Sequence, residues 1–281
     1  MTESHESKVH VPLPYLVRDP LYKTEKPYAA VFDVSDIPDA KATNHVIDLF
    51  EQDVHNARHL PPFSLQENGF EFIKHQTCLD AGDFDDWDLV YDKFRVEMEA
   101  VLRSRFPFYK SILYLDHTIR KRSPLFPGSP GQPVTFPQPA ALPHFDFTTR
   151  GCHLRMALRF PKTPEVYRGK DFDLINIWKV LKGPNNDWPL AVCDAKSVDF
   201  ATDLVANDVI NEQTVGENGL MHYNPRHKWY YLADQEVDDL VVFRNANSLG
   251  ERAVAFHAAF DPGTVDGPPR QSIEIRFAAF Y

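Results

Sequence analysis

From residue 110 onward, apolar side chains come in short alternating or continuous runs separated by clusters of Pro, Gly, Asn or Asp. That pattern predicts strands at 111–115, 153–160, 171–181, 190–193, 229–232, 240–244, 254–260 and 272–281. A helix is predicted at about 198–211. The first third reads differently. Trp87, Val90, Tyr91, Phe94, Met98, Val101 and Leu102 recur at helical spacing, the mark of one buried helix face. Asp83, Asp85, Asp86 and Asp88 crowd its start, where carboxylates cap free N–H groups and oppose the helix dipole. Val46, Ile47, Phe50 and Val54 predict a further helix over 43–55, and residues 1–40 read as an irregular arm with one short strand near 29–34. Helices early and strands late predict a mainly β fold, a sandwich with flanking helices. The expected organisation is one domain, with arm and outer helices in 1–109 and the β core in 110–281. Residues 121–143 hold seven prolines and no periodicity. Such a segment is expected to cover a binding site, together with the turn around His222–His227.

Composition narrows the function. The 281 residues are 43% hydrophobic and 25% charged, enough for a sizeable core. A net charge of −10 without any Lys/Arg cluster excludes nucleic acid as a partner. No apolar run is long enough to cross a bilayer, and the amino terminus lacks the basic start and apolar stretch of a secretory leader. Cys78, Cys152 and Cys193 are scattered, which suits a reducing compartment and provides neither a disulfide scaffold nor a thiolate metal cage. The expected location is cytoplasmic. Aromatic residues at 13% point to a large apolar interior or pocket.

There is no GxGxxG, no GxxxxGK[ST] and no GxSxG. Twelve histidines among many carboxylates direct attention to metal. In PHFDFTTRG, His144 and Asp146 are two apart, so in a strand both project from one face. With one more His they would form a two-histidine, one-carboxylate triad that leaves positions open on Fe(II). The pair alone carries little, since 12 His and 26 Asp in 281 residues predict about one His-x-Asp by chance. More weight comes from His257 in AVAFHAAFDP, followed by Arg270-Gln-Ser272 at the start of the last strand. Arg270, Ser272, Glu274 and Arg276 share one face of that strand, with Ile273, Ile275 and Phe277 on the other. A guanidinium and a hydroxyl two residues apart suit a carboxylate ligand. Of the other histidines, His117 and His153 are expected to be structural, and His222 and His227 to lie in a turn. His5, His10, His45, His55, His59 and His75 fall outside the sandwich.

These residues resemble the Fe(II)/2-oxoglutarate-dependent oxygenases, and within them the group of the cephamycin 7α-methoxylase subunit, gibberellin desaturase-like enzymes and the novofumigatonin endoperoxidase. DHTIR at 116–120, PHFDFTTRG at 143–151, the segment 175–198, HKWYYL at 227–232 and PPRQSIEIRF at 268–277 carry the resemblance, in shared order over about 110–281. It implies a double-stranded β-helix (a cupin-like jelly roll). His144, Asp146 and His257 would be the iron ligands, and Arg270 and Ser272 the anchor of the distal 2-oxoglutarate carboxylate. Arg276, on the same face, is a second candidate anchor. The implied reaction couples O2 and 2-oxoglutarate to oxidation of an unactivated C–H bond, by hydroxylation, desaturation or endoperoxide formation. The substrate expected is a bulky apolar secondary metabolite, a terpenoid or meroterpenoid. The alternative is a jelly-roll subunit without activity that stabilises an active partner. Val11, Leu13, Tyr15 and Leu16 of the arm either pack across a homodimer or heterodimer, or on their own domain.

Overall fold

In the computed structural model, which describes residues 7–128, 135–263 and 267–281, two mostly antiparallel sheets face each other. The larger runs in the order β1 (Lys8–Leu16), β3 (Ile47–Asn56), β11 (Trp229–Tyr231), β8 (Leu190–Cys193), β13 (His257–Ala259), β6 (His144–Phe145), β10 (Val215–Met221), β9 (Leu204–Ile210) and β2 (Tyr28–Ala30). The smaller is β4 (Phe70–Lys74), β12 (Asp239–Asn247), β7 (Phe172–Val180), β14 (Gln271–Phe280) and β5 (Ser111–Lys121). Every residue of β7 and β12 is buried. Both faces of these strands are covered, which explains why apolar side chains occur at odd and even positions alike.

The cover on the outer face is the helix legible in the sequence. It runs as α1 (Trp87–Leu89), a wide turn at Val90–Phe94, and α2 (Arg95–Arg105). Asp86 caps it by accepting from the amides of Asp88 and Leu89. Phe94, Met98 and Leu102 bury their side chains against Ile175, Ile177, Ile273 and Ile275. Each contributes about 1.5–3 kcal/mol of apolar burial. Beneath it, Asp173 accepts from Tyr109 at 2.5 Å, Arg244 at 2.7 Å, Arg252 at 2.8 Å and Tyr281 at 2.9 Å, tying four separate segments to one buried carboxylate.

Three elements differ from expectation. Of the helix expected over 43–55, residues 47–55 lie in strand β3 instead, because β1 and β11 pair with it on either side. Residues 153–160 are not a strand but most of helix α3 (Thr149–Arg159). The Thr148 hydroxyl caps it by accepting from the amide of Gly151, and Cys152 and Met156 bury one face four residues apart. Half of the helix expected at about 198–211 is strand β9, held by β10 and β2. Helix there is limited to one turn, α4 (Phe200–Asp203), capped by Asp199. Strands β1, β3 and β4 thus enter the sheets from the first third of the chain. Val11, Leu13, Tyr15 and Leu16 pack against their own chain, where all four are buried.

Strand β1 forms one edge of the larger sheet. Its odd-numbered neighbourhood faces β3, since Ser7 O accepts from the Asn56 amide and the Val17 amide donates to Val46 O. The even positions, including Pro12 and Pro14, therefore point away from the sheet.

Candidate metal centre

His144 and His257 sit directly opposite each other on neighbouring strands β6 and β13. Asp146 follows β6 by one residue, so the period of two returns its side chain to the face of His144. The three groups converge between the sheets. His144 Nε2 lies 3.4 Å and His257 Nε2 3.8 Å from Asp146 Oδ1, and one ligand atom from each residue falls within 4.8 Å of the others.

The orientation of each ring is set from behind. His144 Nδ1 lies 2.7 Å from Leu142 O and His257 Nδ1 3.4 Å from Ala255 O. Carbonyls only accept, so each Nδ1 carries the proton and each Nε2 offers its lone pair to the centre. Burial, followed by the neighbouring His144, pushes the His257 pKa down to about 3. The ring therefore stays neutral and able to ligate.

Asp146 is braced from the smaller sheet. Its Oδ2 accepts from Asn245 Nδ2 at 2.6 Å, Arg276 Nε at 2.8 Å and Asn176 Nδ2 at 3.3 Å, one donor each from β12, β14 and β7. Burial opposes ionisation, but the Arg276 charge outweighs it and holds the carboxyl well below the usual range. Oδ2 is saturated, and Oδ1 faces the two imidazoles. One sheet thus supplies ligand atoms and the other fixes their aim.

The last strand places Arg270, Ser272, Glu274 and Arg276 on one face, as its alternation predicts, and their environments differ. Arg276 is fully engaged: besides Asp146 it donates to Asp116 Oδ1 at 2.7 Å and to Glu274. Arg270 is 3% exposed, and its Nη1 donates to Trp188 O at 2.5 Å. Among the described residues, its buried Nε and the buried Ser272 hydroxyl have no hydrogen-bond partner. Burial, then repulsion from Arg120, lowers the Arg270 pKa to about 9. Two unsatisfied buried donors beside an imperfectly matched cation fit an anionic ligand.

A cavity of about 550 Å3 reaches Asp146, bounded also by Phe147, α3 and the β9–β10 turn. A larger cleft of about 1000 Å3 lies on the far rim near β1 and contains none of the three converging residues. His227 borders that cleft, bonding Asp203 at 3.2 Å, and His222 bonds Leu16 O at 2.8 Å. The turn expected to cover the site is instead packed on β1. His117 bonds the Tyr114 hydroxyl, and His153 bonds Ser248 O. His5 and residues 129–134 of the proline-rich segment lie outside the described residues. Sequence reading missed Asn176, Asn245 and Asp116. The available signal was asparagine inside two strand runs rich in apolar residues, INIWKV and VVFRNAN.

A jelly roll carrying a two-histidine, one-carboxylate face is the class that fold and site define. A solved structure titled iron and alpha-ketoglutarate-dependent endoperoxidase NvfI superposes with a TM-score of 0.81, covering 98% of this chain and 99% of that one at 22% identity. The family model described as "Oxidoreductase/YMDC permease-like domain" matches residues 13–280, and the chain belongs to that family. No helix among the described residues is long and apolar enough to cross a membrane. The chain is 27% identical over 228 residues to alpha-ketoglutarate-dependent dioxygenase phiK of a fungal species, covering 76% of this chain and 78% of that protein. It is 24% identical over 239 residues to hydroxylase/desaturase efuI of Hormonema carpetanum, covering 78% and 79%. Its homologues thus include proteins named as 2-oxoglutarate-dependent dioxygenases.

Proposed function

We propose that the protein is an Fe(II)- and 2-oxoglutarate-dependent oxygenase. In this reading His144 Nε2, Asp146 Oδ1 and His257 Nε2 hold iron, and Arg270 with Ser272 receives the distal carboxylate of 2-oxoglutarate. Bound iron, 2-oxoglutarate and O2 supply the oxidising chemistry, with succinate and CO2 as co-products. The chain's own part is positional. The carbonyls of Leu142 and Ala255 fix both imidazole tautomers, and Asn245, Asn176 and Arg276 keep Asp146 ionised and aimed. Arg276, committed to three carboxylates, acts as a brace and leaves the anchoring to Arg270.

The observation that carries this reading is the convergence of three ligand atoms within 4.8 Å. All come from one chain, so no second subunit is required to complete the set. The substrate is read as a bulky apolar secondary metabolite of terpenoid or meroterpenoid type, and the location as cytoplasmic. The relatives' names span dioxygenase, hydroxylase/desaturase and endoperoxidase, so the outcome at carbon is one of hydroxylation, desaturation or endoperoxide formation.

Anaerobic titration of the Fe(II)-loaded protein with 2-oxoglutarate tests the reading through the weak visible charge-transfer band of the chelate. The band is expected in wild type, absent in His257→Ala, and shifted to far higher 2-oxoglutarate in Arg270→Ala. No band in metal-replete wild type would overturn the assignment and favour a subunit without activity.

A further inference from the structure

The cavity beside Asp146 is lined by Phe147 and Phe32, and by Leu154, Arg155 and Leu158 of α3. Val31, Phe32, Phe147, Leu154, Leu158 and Val209 make an apolar wall opposite the polar β9–β10 turn, so a ligand lodged there would be apolar over much of its surface and carry some polar group. Arg155 is the one basic residue on the cavity wall. Its Nη2 donates to Asp116, while its Nη1 makes no hydrogen bond among the described residues and, on a side chain 31% exposed, is open to a ligand. The guanidinium therefore has donor capacity to spare beside the metal centre.

Its charge is already matched. Asp116 lies between Arg155 and Arg276, accepting from the latter at 2.7 Å, and Arg276 in turn holds Asp146 at 2.8 Å. Glu217, also on the wall, is matched by Arg150 at 2.8 Å and by Lys26 at 2.5 Å. With Glu212 lining the cavity as well, the wall carries no surplus positive charge. A carboxylate brought here would lose its hydration without gaining a free counter-ion. A neutral oxygen acceptor needs only an N–H, and Arg155 has one to give.

We propose that this cavity is the substrate subsite and that Arg155 determines specificity by donating to a carbonyl-type oxygen (ketone, ester or lactone) on an otherwise apolar, uncharged substrate. The inference builds on the oxygenase reading. It gives that reading a substrate class and a residue that registers the substrate beside Asp146.

The test uses three probes sharing one bicyclic body: trans-1-decalone, trans-decalin and decalin-1-carboxylate. Binding to the Fe(II)- and 2-oxoglutarate-loaded protein under nitrogen is followed by ligand-observed NMR. Wild type is expected to bind the ketone about tenfold or more tighter than either other probe, the gain of one hydrogen bond to a charged donor. Arg155→Met should reduce that preference to within about twofold, by the same reasoning. Arg155→Lys keeps a cation for Asp116 and guards against a variant that fails to fold, and it should lose most of the preference with the planar fork. Leu158→Trp, at a half-exposed wall position, should weaken all three probes by filling the cavity. Tighter binding of the carboxylate, a ketone preference that survives both Arg155 variants, or no binding of any probe would overturn the proposal. Succinate formation from 2-oxoglutarate without substrate is measured in parallel. If it is absent in wild type the oxygenase reading fails, whereas its presence alongside any of those binding results overturns the subsite alone.

Discussion

Replacing Arg270 with leucine should have opposite effects on the free and the 2-oxoglutarate-bound protein. In the free protein the guanidinium is a buried cation whose Nε is unpartnered among the described residues and whose neighbour Arg120 repels it. Removing an imperfectly matched buried charge is close to neutral or stabilising. With 2-oxoglutarate bound, the same change leaves a desolvated carboxylate without its partner. That costs about 3–5 kcal/mol, or about two to four decades in Kd. The melting temperature converts this into a reading. At 100 times its Kd, a ligand stabilises wild type by about 2.7 kcal/mol. A chain of 281 residues has an unfolding entropy near 0.6 kcal/mol/K, taking about 2.1 cal/mol/K per residue, so the gain is about 4–5 °C. At the same concentration Arg270→Leu sits at or below about 0.6 Kd and gains less than about 1 °C. Ser272→Ala, losing one hydroxyl donor to a charged acceptor, should fall between them with about a ten- to hundredfold weaker Kd. The assay is thermal unfolding of Fe(II)-loaded protein under nitrogen, with and without 2-oxoglutarate. An Arg270→Leu protein that melts several degrees lower alone, yet keeps the full ligand gain, would refute the reasoning and make Arg270 a structural residue.

Three further outcomes are expected. Asn245→Leu removes the 2.6 Å donor to Asp146 Oδ2 and should weaken Fe(II) binding about 10–100-fold in an anaerobic titration; unchanged affinity would show that Arg276 and Asn176 suffice. Gly151→Ala places a Cβ 1.9 Å from the carbonyl oxygen of Glu217, a backbone atom that cannot swing aside. Stability to urea should drop by about 3 kcal/mol or more, and a loss under about 1 kcal/mol would mean that α3 slides freely on β10. His227 is held below its ordinary pKa of 6.5, chiefly by burial, with the Asp203 hydrogen bond opposing. The unfolded chain therefore takes up protons that the folded one refuses, and stability falls as pH drops through 6.5. The urea midpoint between about pH 7.5 and 5.5 should slope less in His227→Gln than in wild type, with His45, His117, His222 and His257 sustaining the remainder. Identical slopes would show that His227 titrates alike in both states.

The parts of the molecule read correctly from sequence are those where local pattern and burial agree. The run at 190–193 is β8 to the residue, and the alternation after Arg270 sorts the last strand onto its true faces. The misread elements are those where neighbours from elsewhere in the chain decide. Val46, Ile47, Phe50 and Val54 fit a helix turn by turn, yet β1 and β11 claim the backbone of β3 on both sides. At 153–160 the deciding feature is a cap: Thr148 starts a helix that the apolar spacing alone does not distinguish from a strand. Parity could not rank Arg270 against Arg276, because both point inward. What separates them is Asp116, supplied by β5 from 160 positions earlier in the chain.

The two outward prolines of β1 have a consequence for how this molecule meets its own copies. A sheet edge normally offers a row of amides to any extended chain that approaches, and strands from other molecules can be added there. Along this edge the central donors at positions 12 and 14 do not exist, because proline carries no N–H. A neighbouring strand would find acceptors without the alternating donors that lock register. The centre of this edge thus makes a poor template for adding a further strand to the larger sheet.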